Sequence, residues 1–159
     1  MGELVICGSM SFYDEIIGIK AYLNSFNIEV LIPDNNELIY KKIINDSSNK
    51  YACAYKGFLS RIHFNKISKK STEAILVVNC KKYSIDDYIG PNTLAEIGLA
   101  FVKNKKIFIL YDFPIIYKEE LCAWGAIPLR SNIEILINDM TKINDQQLWL
   151  PGINLNGNR

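Results

Sequence analysis

Leu4-Val5-Ile6-Cys7-Gly8-Ser9 is a continuous apolar run that ends abruptly in a glycine and a serine. Four apolar residues without polar alternation suit a strand buried on both faces, the condition of a parallel sheet covered by helices. Downstream, Ile16, Ile17, Ala21, Tyr22, Leu23 and Phe26 recur at helical spacing over 12–26. A second short β-rich run over 28–32 is stopped by Pro33-Asp34-Asn35-Asn36. The first 33 residues thus read as a βαβ unit, and such units are overwhelmingly right-handed with parallel strands.

The pattern repeats along the chain. Phe58, Leu59, Ile62 and Ile67 mark an amphipathic helix within 54–71, and Ala74-Ile75-Leu76-Val77-Val78 is a third buried strand ending at Asn79. Residues 92–103 are helical, 107–111 form a fourth strand closed by Asp112-Phe113-Pro114, 117–123 a short helix, 127–129 a minor fifth strand and 132–143 a last helix. Between 37 and 55, Leu38, Ile39, Ile43 and Ile44 suggest a helical turn or two before the loop Asn45-Asp46-Ser47-Ser48-Asn49. This succession predicts a three-layer α/β flavodoxin-like (Rossmann-like) fold, with a parallel sheet of four to five strands in the order 2-1-3-4-5. One domain covers 1–144, and 145–159 is a polar tail carrying Trp149, Leu150 and Ile153.

Composition narrows the function classes. Across 159 residues, Lys+Arg 18 against Asp+Glu 17 leaves a net charge of +1, so the basic face that a nucleic-acid polymer requires is not expected. No apolar run approaches the roughly 18 residues of a membrane span. The first residues lack a basic segment followed by a long apolar one, so a cytoplasmic protein is expected. Cys7, Cys53, Cys80 and Cys122 show no C-x-x-C spacing and there is one histidine, so neither a metal site nor a cofactor is expected. Cys7 and Cys80 read as buried core thiols.

Ligands of open parallel sheets bind beyond the strand carboxyl ends, where strand order reverses. There Gly8-Ser9-Met10-Ser11 meets Asn79 and the segment Gly90-Pro91-Asn92-Thr93-Leu94-Ala95-Glu96. Ser9 and Ser11 suit a phosphate or a sugar hydroxyl at a helix N-terminus, and Ser11 also suits a plain N-cap. No G-K-[ST] or G-x-G-x-x-G follows, which argues against a triphosphatase or an NAD enzyme. Thr93 and Glu96 match a capping box. The functional alternative places Glu96 in the first helical turn, kept ionised by the helix dipole for nucleophilic attack. Asp86 and Asp87 offer a second carboxylate or a solvated loop. His63 reads as a packing or surface residue, Lys56 and Arg61 as a solvated helix face, and Trp124 and Trp149 as packing anchors.

Cys7-Gly8-Ser9-Met10-Ser11, the strand Ala74-Ile75-Leu76-Val77-Val78-Asn79, and Gly90-Pro91-Asn92-Thr93-Leu94-Ala95-Glu96-Ile97-Gly98-Leu99-Ala100 followed by Lys105-Lys106-Ile107-Phe108 together resemble the nucleoside 2-deoxyribosyltransferase-like family. That group includes the 2′-deoxynucleoside 5′-monophosphate N-hydrolases. The resemblance, over most of 4–113, implies that Glu96 attacks the anomeric carbon, with water or a second base accepting the sugar. It implies a small-molecule nucleoside or nucleotide partner and a homo-oligomer. On this reading Asn79, Asn92 and Thr93 belong to the sugar or base subsite, and Gly8, Ser9, Met10 and Ser11 hold the 5′ end. Two positions depart from the family pattern: Gly90 and Asn79 stand where family transferases carry aspartates that handle the leaving base. The rival reading is a non-catalytic nucleotide-binding or sensor module using the same crevice. A flavin-binding protein is weaker, because no phosphate loop of that kind is present.

Overall fold

Alternation along the three central strands divides the core. The computed structural model describes residues 2–35 and 49–147. β1 (Glu3–Gly8), β2 (Glu29–Leu31), β3 (Thr72–Val78), β4 (Lys106–Ile109) and β5 (Ile127–Pro128) form one parallel sheet in the order β2-β1-β3-β4-β5. This is the flavodoxin-like α/β architecture that the periodicity predicts, with five strands. Leu4, Ile6, Leu76, Val78 and Phe108 point to one face and pack with Phe12, Ile16, Leu23, Leu136, Ile137 and Met140. Val5, Cys7, Ile75, Val77, Ile107 and Ile109 point to the other and meet Ile67, Ile97, Ala100 and Leu121. Successive side chains of a strand leave opposite faces, so an all-apolar run is what a sheet covered on both sides needs.

The helices α1 (Tyr13–Asn24) and α5 (Glu134–Gln147) supply the first cover. The second comes from α2 (Asn49–Ser68), α3 (Pro91–Val102) and α4 (Lys118–Ala123). α2 stops at Ser68 because the chain folds back on it. The Thr72 hydroxyl donates to the Lys66 carbonyl at 2.7 Å, and the Lys105 ammonium donates to the carbonyls of Lys69 and Thr72. α2 begins several residues before the expected helix. The turns expected over 38–48 and the tail residues Trp149, Leu150 and Ile153 lie outside the described residues. None of the described helices is long and apolar enough to cross a membrane. None of the four cysteines is in a disulfide; Cys7 is buried, whereas Cys80 is only partly so, contrary to the core position expected for it.

Two capping expectations are overturned. Ser11 does not cap the first helix: Ser9 caps a short 3-10 turn, Met10–Phe12, accepting the Ser11 amide at 3.3 Å, and α1 starts only at Tyr13. Thr93 does not cap α3 either. Pro91 occupies the first helical position, with Gly90 at the N-cap. Proline suits that position because its missing N–H would be unpaired anyway and its φ is already helical. The helix therefore starts two residues before Thr93, and Glu96 lies in the second turn, out of reach of any capping box.

β1 and β3 pair from Leu4↔Ala74 to Gly8↔Val78. At the crevice end of that ladder a Cβ on Gly8 would stand 2.9 Å from the Val78 carbonyl oxygen. Backbone cannot yield cheaply to such a contact, so Gly8→Ala is expected to lower unfolding stability by about 1–3 kcal/mol in urea titration. Gly18→Ala on exposed α1, where nothing lies within 4 Å, is expected to raise it by about 0.5–1 kcal/mol.

Candidate active site

The order of strands reverses between β1 and β3, and a cavity of about 520 Å³ opens there, within the span of small-molecule sites. Its walls include Gly8, Ser9, Met10 and Ser11 after β1, Pro33 and Asp34 after β2, and Tyr88, Gly90, Asn92, Thr93 and Glu96 around the start of α3. Lys56, Ser60 and His63 enter from α2 and Lys82 from the loop after β3. The segments that converge in the sequence reading thus share one cavity, with one exception.

Asn79 does not line it. Its side chain is fully buried, the amide donates to the Asp112 carbonyl at 2.9 Å, and its oxygen accepts the Tyr111 amide at 3.0 Å. Asn79 therefore ties the exits of β3 and β4 together, buried away from the cavity. Asp86 and Asp87 are likewise outside the cavity: Asp86 pairs with Lys81 at 3.0 Å, and Asp87 accepts the Asp112 amide at 3.4 Å. Arg61 is exposed away from it, and Trp124 stacks on Phe101 at 5.8 Å. Lys56, read as solvated, does line the wall.

His63 and Glu96 form the floor, and Cys7 lies fully buried against them. Cys7 is the last side chain that β1 sends toward α2 and α3. On α2, His63 stands one turn before the core residue Ile67. On α3, Glu96 shares the inward stripe with Thr93, Ile97 and Ala100. Both helices run past the strand ends, so stripes that are apolar over the sheet become polar at the crevice. Glu96 is 3% exposed and His63 5%. Asn92 donates to Glu96 Oε1 at 3.0 Å and accepts the Ser60 hydroxyl at 3.0 Å, a short chain that fixes one carboxyl oxygen. Glu96 Oε2 and both His63 ring nitrogens are buried without a hydrogen-bond partner, and His63 Nε2 lies 3.9 Å from Glu96 Oε1. An orphaned polar group of this kind costs about 1–3 kcal/mol, which a ligand can recover.

Burial decides the charges. It raises the Glu96 carboxyl from 4.5 to about 8, the nearby Cys7 thiol opposing it. The expected ionisation by the helix dipole is therefore overturned, since that field fades beyond the first turn. Burial lowers His63 from 6.5 to about 4, with the Lys66 ammonium adding to the effect and Asp34 opposing it. It also pushes the Cys7 thiol well up. At neutral pH the floor is an uncharged carboxyl and an uncharged imidazole, with the neutral Cys7 thiol buried against them. Donor atoms of Cys7, His63 and Glu96 lie within 4.8 Å of one another, all buried, a grouping that the linear spacing of cysteines and histidine does not display. A zinc ion with bonds of about 2.0–2.3 Å would require such donors to draw closer.

On the rim, the Lys82 ammonium donates to Ser9 Oγ at 2.8 Å and sits 4.8 Å and 5.4 Å from the ring centres of Tyr83 and Tyr88. The tight turn that places it has Tyr83 and Ser84 at φ 52° and 60°, closed by paired bonds between Lys82 and Ile85. Neither Lys82 nor His63 stands out in the sequence, because each depends on a neighbour distant along the chain.

No family model, no curated protein and no solved structure matches this chain. Its chemistry rests on the site's own geometry.

The proton on Glu96 makes a thermodynamic prediction. Between pH 4.5 and about 8 the folded chain keeps a proton that the unfolded chain has lost, so stability falls as pH rises. His63 acts oppositely between about 4 and 6.5, where the unfolded chain holds the extra proton. Above 6.5 only the Glu96 effect remains. From pH 6.5 to 8, urea titration is expected to shift the stability difference in favour of Glu96→Gln by up to about 2 kcal/mol. A difference independent of pH would contradict the protonated carboxyl.

Proposed function

We propose that this chain breaks the N-glycosidic bond of a nucleoside or nucleoside 5′-monophosphate, passing the sugar to water or to a second base, with Glu96 as the nucleophile. The observation that carries this reading is Glu96 itself: a carboxyl sealed at the cavity floor, one oxygen held by Asn92 and the other unpartnered. A carboxyl with no structural bond at one oxygen, at the switch point of a parallel sheet, suits attack on an electrophilic carbon better than it suits holding a helix. The resemblance of 4–113 to the deoxyribosyltransferase-like family supports the same chemistry.

Such a displacement passes through an oxocarbenium-like state, whose positive charge a carboxylate within bonding distance stabilises. A covalent sugar–Glu96 ester divides one difficult substitution into two easier ones. Ser9, Ser11 and Lys82 on the rim suit the 5′ end of the substrate, and the Lys82 ammonium favours a monophosphate over a free hydroxyl. Thr93 and Asn92 face the sugar on this reading.

Free base is measured chromatographically from a panel of ribo- and deoxyribonucleosides and their 5′-monophosphates, with and without a second base. Wild type is expected to release base, and Glu96→Gln, which keeps an oxygen for Asn92, to lose at least about 10³-fold in rate while remaining folded. Release that survives this change would refute the nucleophile. Binding without release of any base would favour the nucleotide-binding or sensor module. Lys82→Met is expected to raise KM for monophosphates by about tenfold while changing that for nucleosides little.

A further inference from the structure

We infer that His63 is the proton carrier of this site: it takes the proton from the Glu96 carboxyl as that group attacks the sugar, and delivers it to the departing base. The inference rests on the glycosidic reading above and supplies what that reading lacks.

Breaking the bond between C1′ and a base nitrogen leaves an electron pair on that nitrogen, and a positioned acid makes the departure easier. The two positions where the resemblance implies a carboxylate for this task hold Gly90 and Asn79, and the Asn79 amide is committed to backbone at both ends. Asp34, on the cavity wall, is paired with Lys66 at 2.9 Å. His63 differs from all of these. It is almost completely buried, lines the cavity, has both ring nitrogens unpartnered, and puts Nε2 3.9 Å from Glu96 Oε1. Catalytic hydrogen bonds are often long before substrate arrives; an approach of roughly 1 Å would close this one.

The arrangement also answers a difficulty with the nucleophile. A buried carboxyl that holds its proton is a poor nucleophile. The Glu96–His63 pair carries one proton and no net charge, written either as carboxyl with imidazole or as carboxylate with imidazolium. Moving the proton to Nε2 creates the nucleophile and the acid together, with no charge imported into the cavity. The carboxylate oxygen then bonds to C1′, the C1′–N pair stays on the base, and the imidazolium proton goes to that nitrogen. In the second half, water oxygen bonds to C1′ as the ester C1′–O bond breaks, and the pair returns to Glu96. The water proton passes to His63 and from there back to the carboxyl. The sum is glycoside plus water giving free sugar and protonated base; a second base bearing an N–H takes the place of water in transfer.

The test uses the full chain and a substrate that wild type cleaves, offered with its ordinary base and with electron-withdrawing substituents that make the base anion a progressively better leaving group. For the ordinary base, His63→Gln is expected to lose about 10²- to 10⁴-fold in rate. The loss should shrink steadily along the series, and added imidazole should restore release to His63→Gly. A loss equal for every base and unmoved by imidazole would reduce His63 to a structural part and overturn the inference, as would no loss at all. Stoichiometric zinc on Cys7, His63 and Glu96 in the purified protein would also overturn it, because the ion would hold the nitrogen that must carry the proton. Failure of the glycosidic reading looks different: wild type would release no base from any member of the series, and this inference would fall with it.

Discussion

The pairing of β1 with β3 is the constraint from which the rest of the molecule follows. It joins the first strand of the chain to one about 70 residues later, Leu4↔Ala74 through Gly8↔Val78, and loop-closure entropy opposes so distant a contact. The compensation is two apolar runs buried on both faces, which serve both cores at once. Because β2 and β4 flank this pair on opposite sides, the connections leaving β1 and β3 diverge, and the cavity opens between them. Gly8 closes the ladder at its rim, where backbone approaches backbone too closely for a side chain. Sheet and site therefore share a boundary one residue thick.

Past that boundary the usual rule of burial is broken. Buried polar atoms are nearly always paired, yet Glu96 Oε2 and both nitrogens of His63 are not, and they are neighbours. Several buried polar groups outside the cavity are satisfied closely: Asn79 uses its oxygen and its amide, and the Thr72 hydroxyl and the Lys105 ammonium find carbonyls. In the cavity, by contrast, an acid and a base stand side by side with three buried atoms unpartnered. Departures from local consistency of this sort gather where a protein acts on something else.

The fold was legible because it rests on uninterrupted apolar runs and on the helical period of about 3.6 residues, patterns that survive in one dimension. Leu4-Val5-Ile6-Cys7 and Ala74-Ile75-Leu76-Val77-Val78 announce their burial without any partner in view. The helix starts were misread where two signals competed: Thr93-Leu94-Ala95-Glu96 mimics a capping box, but Pro91 had already begun the helix. Asn79 was placed correctly at the strand end, while the direction of its amide depended on Asp112 and Tyr111, invisible until β4 is docked. The hardest residues to foresee were His63 and Cys7, which read as packing. They do pack, and a histidine facing Ile67 differs from one facing a carboxyl only through the placement of α3.

Burial gives Glu96 and His63 their opposing tendencies, since a low-dielectric setting disfavours charge on either one. Each alone would be inert: the acid keeps its proton and the base refuses one. Side by side they are not inert, because a proton passing between them creates two opposite charges that stabilise each other in the medium where separate charges are most costly. A sugar cation forming above the carboxylate, and a base accumulating electrons near the imidazolium, would lower the energy of that charge-separated form further. The reactive state is then reached with the substrate's transition state and seldom without it, as differential binding requires of a catalyst. The burial that makes each group unsuitable at rest is what couples them to the bond being broken.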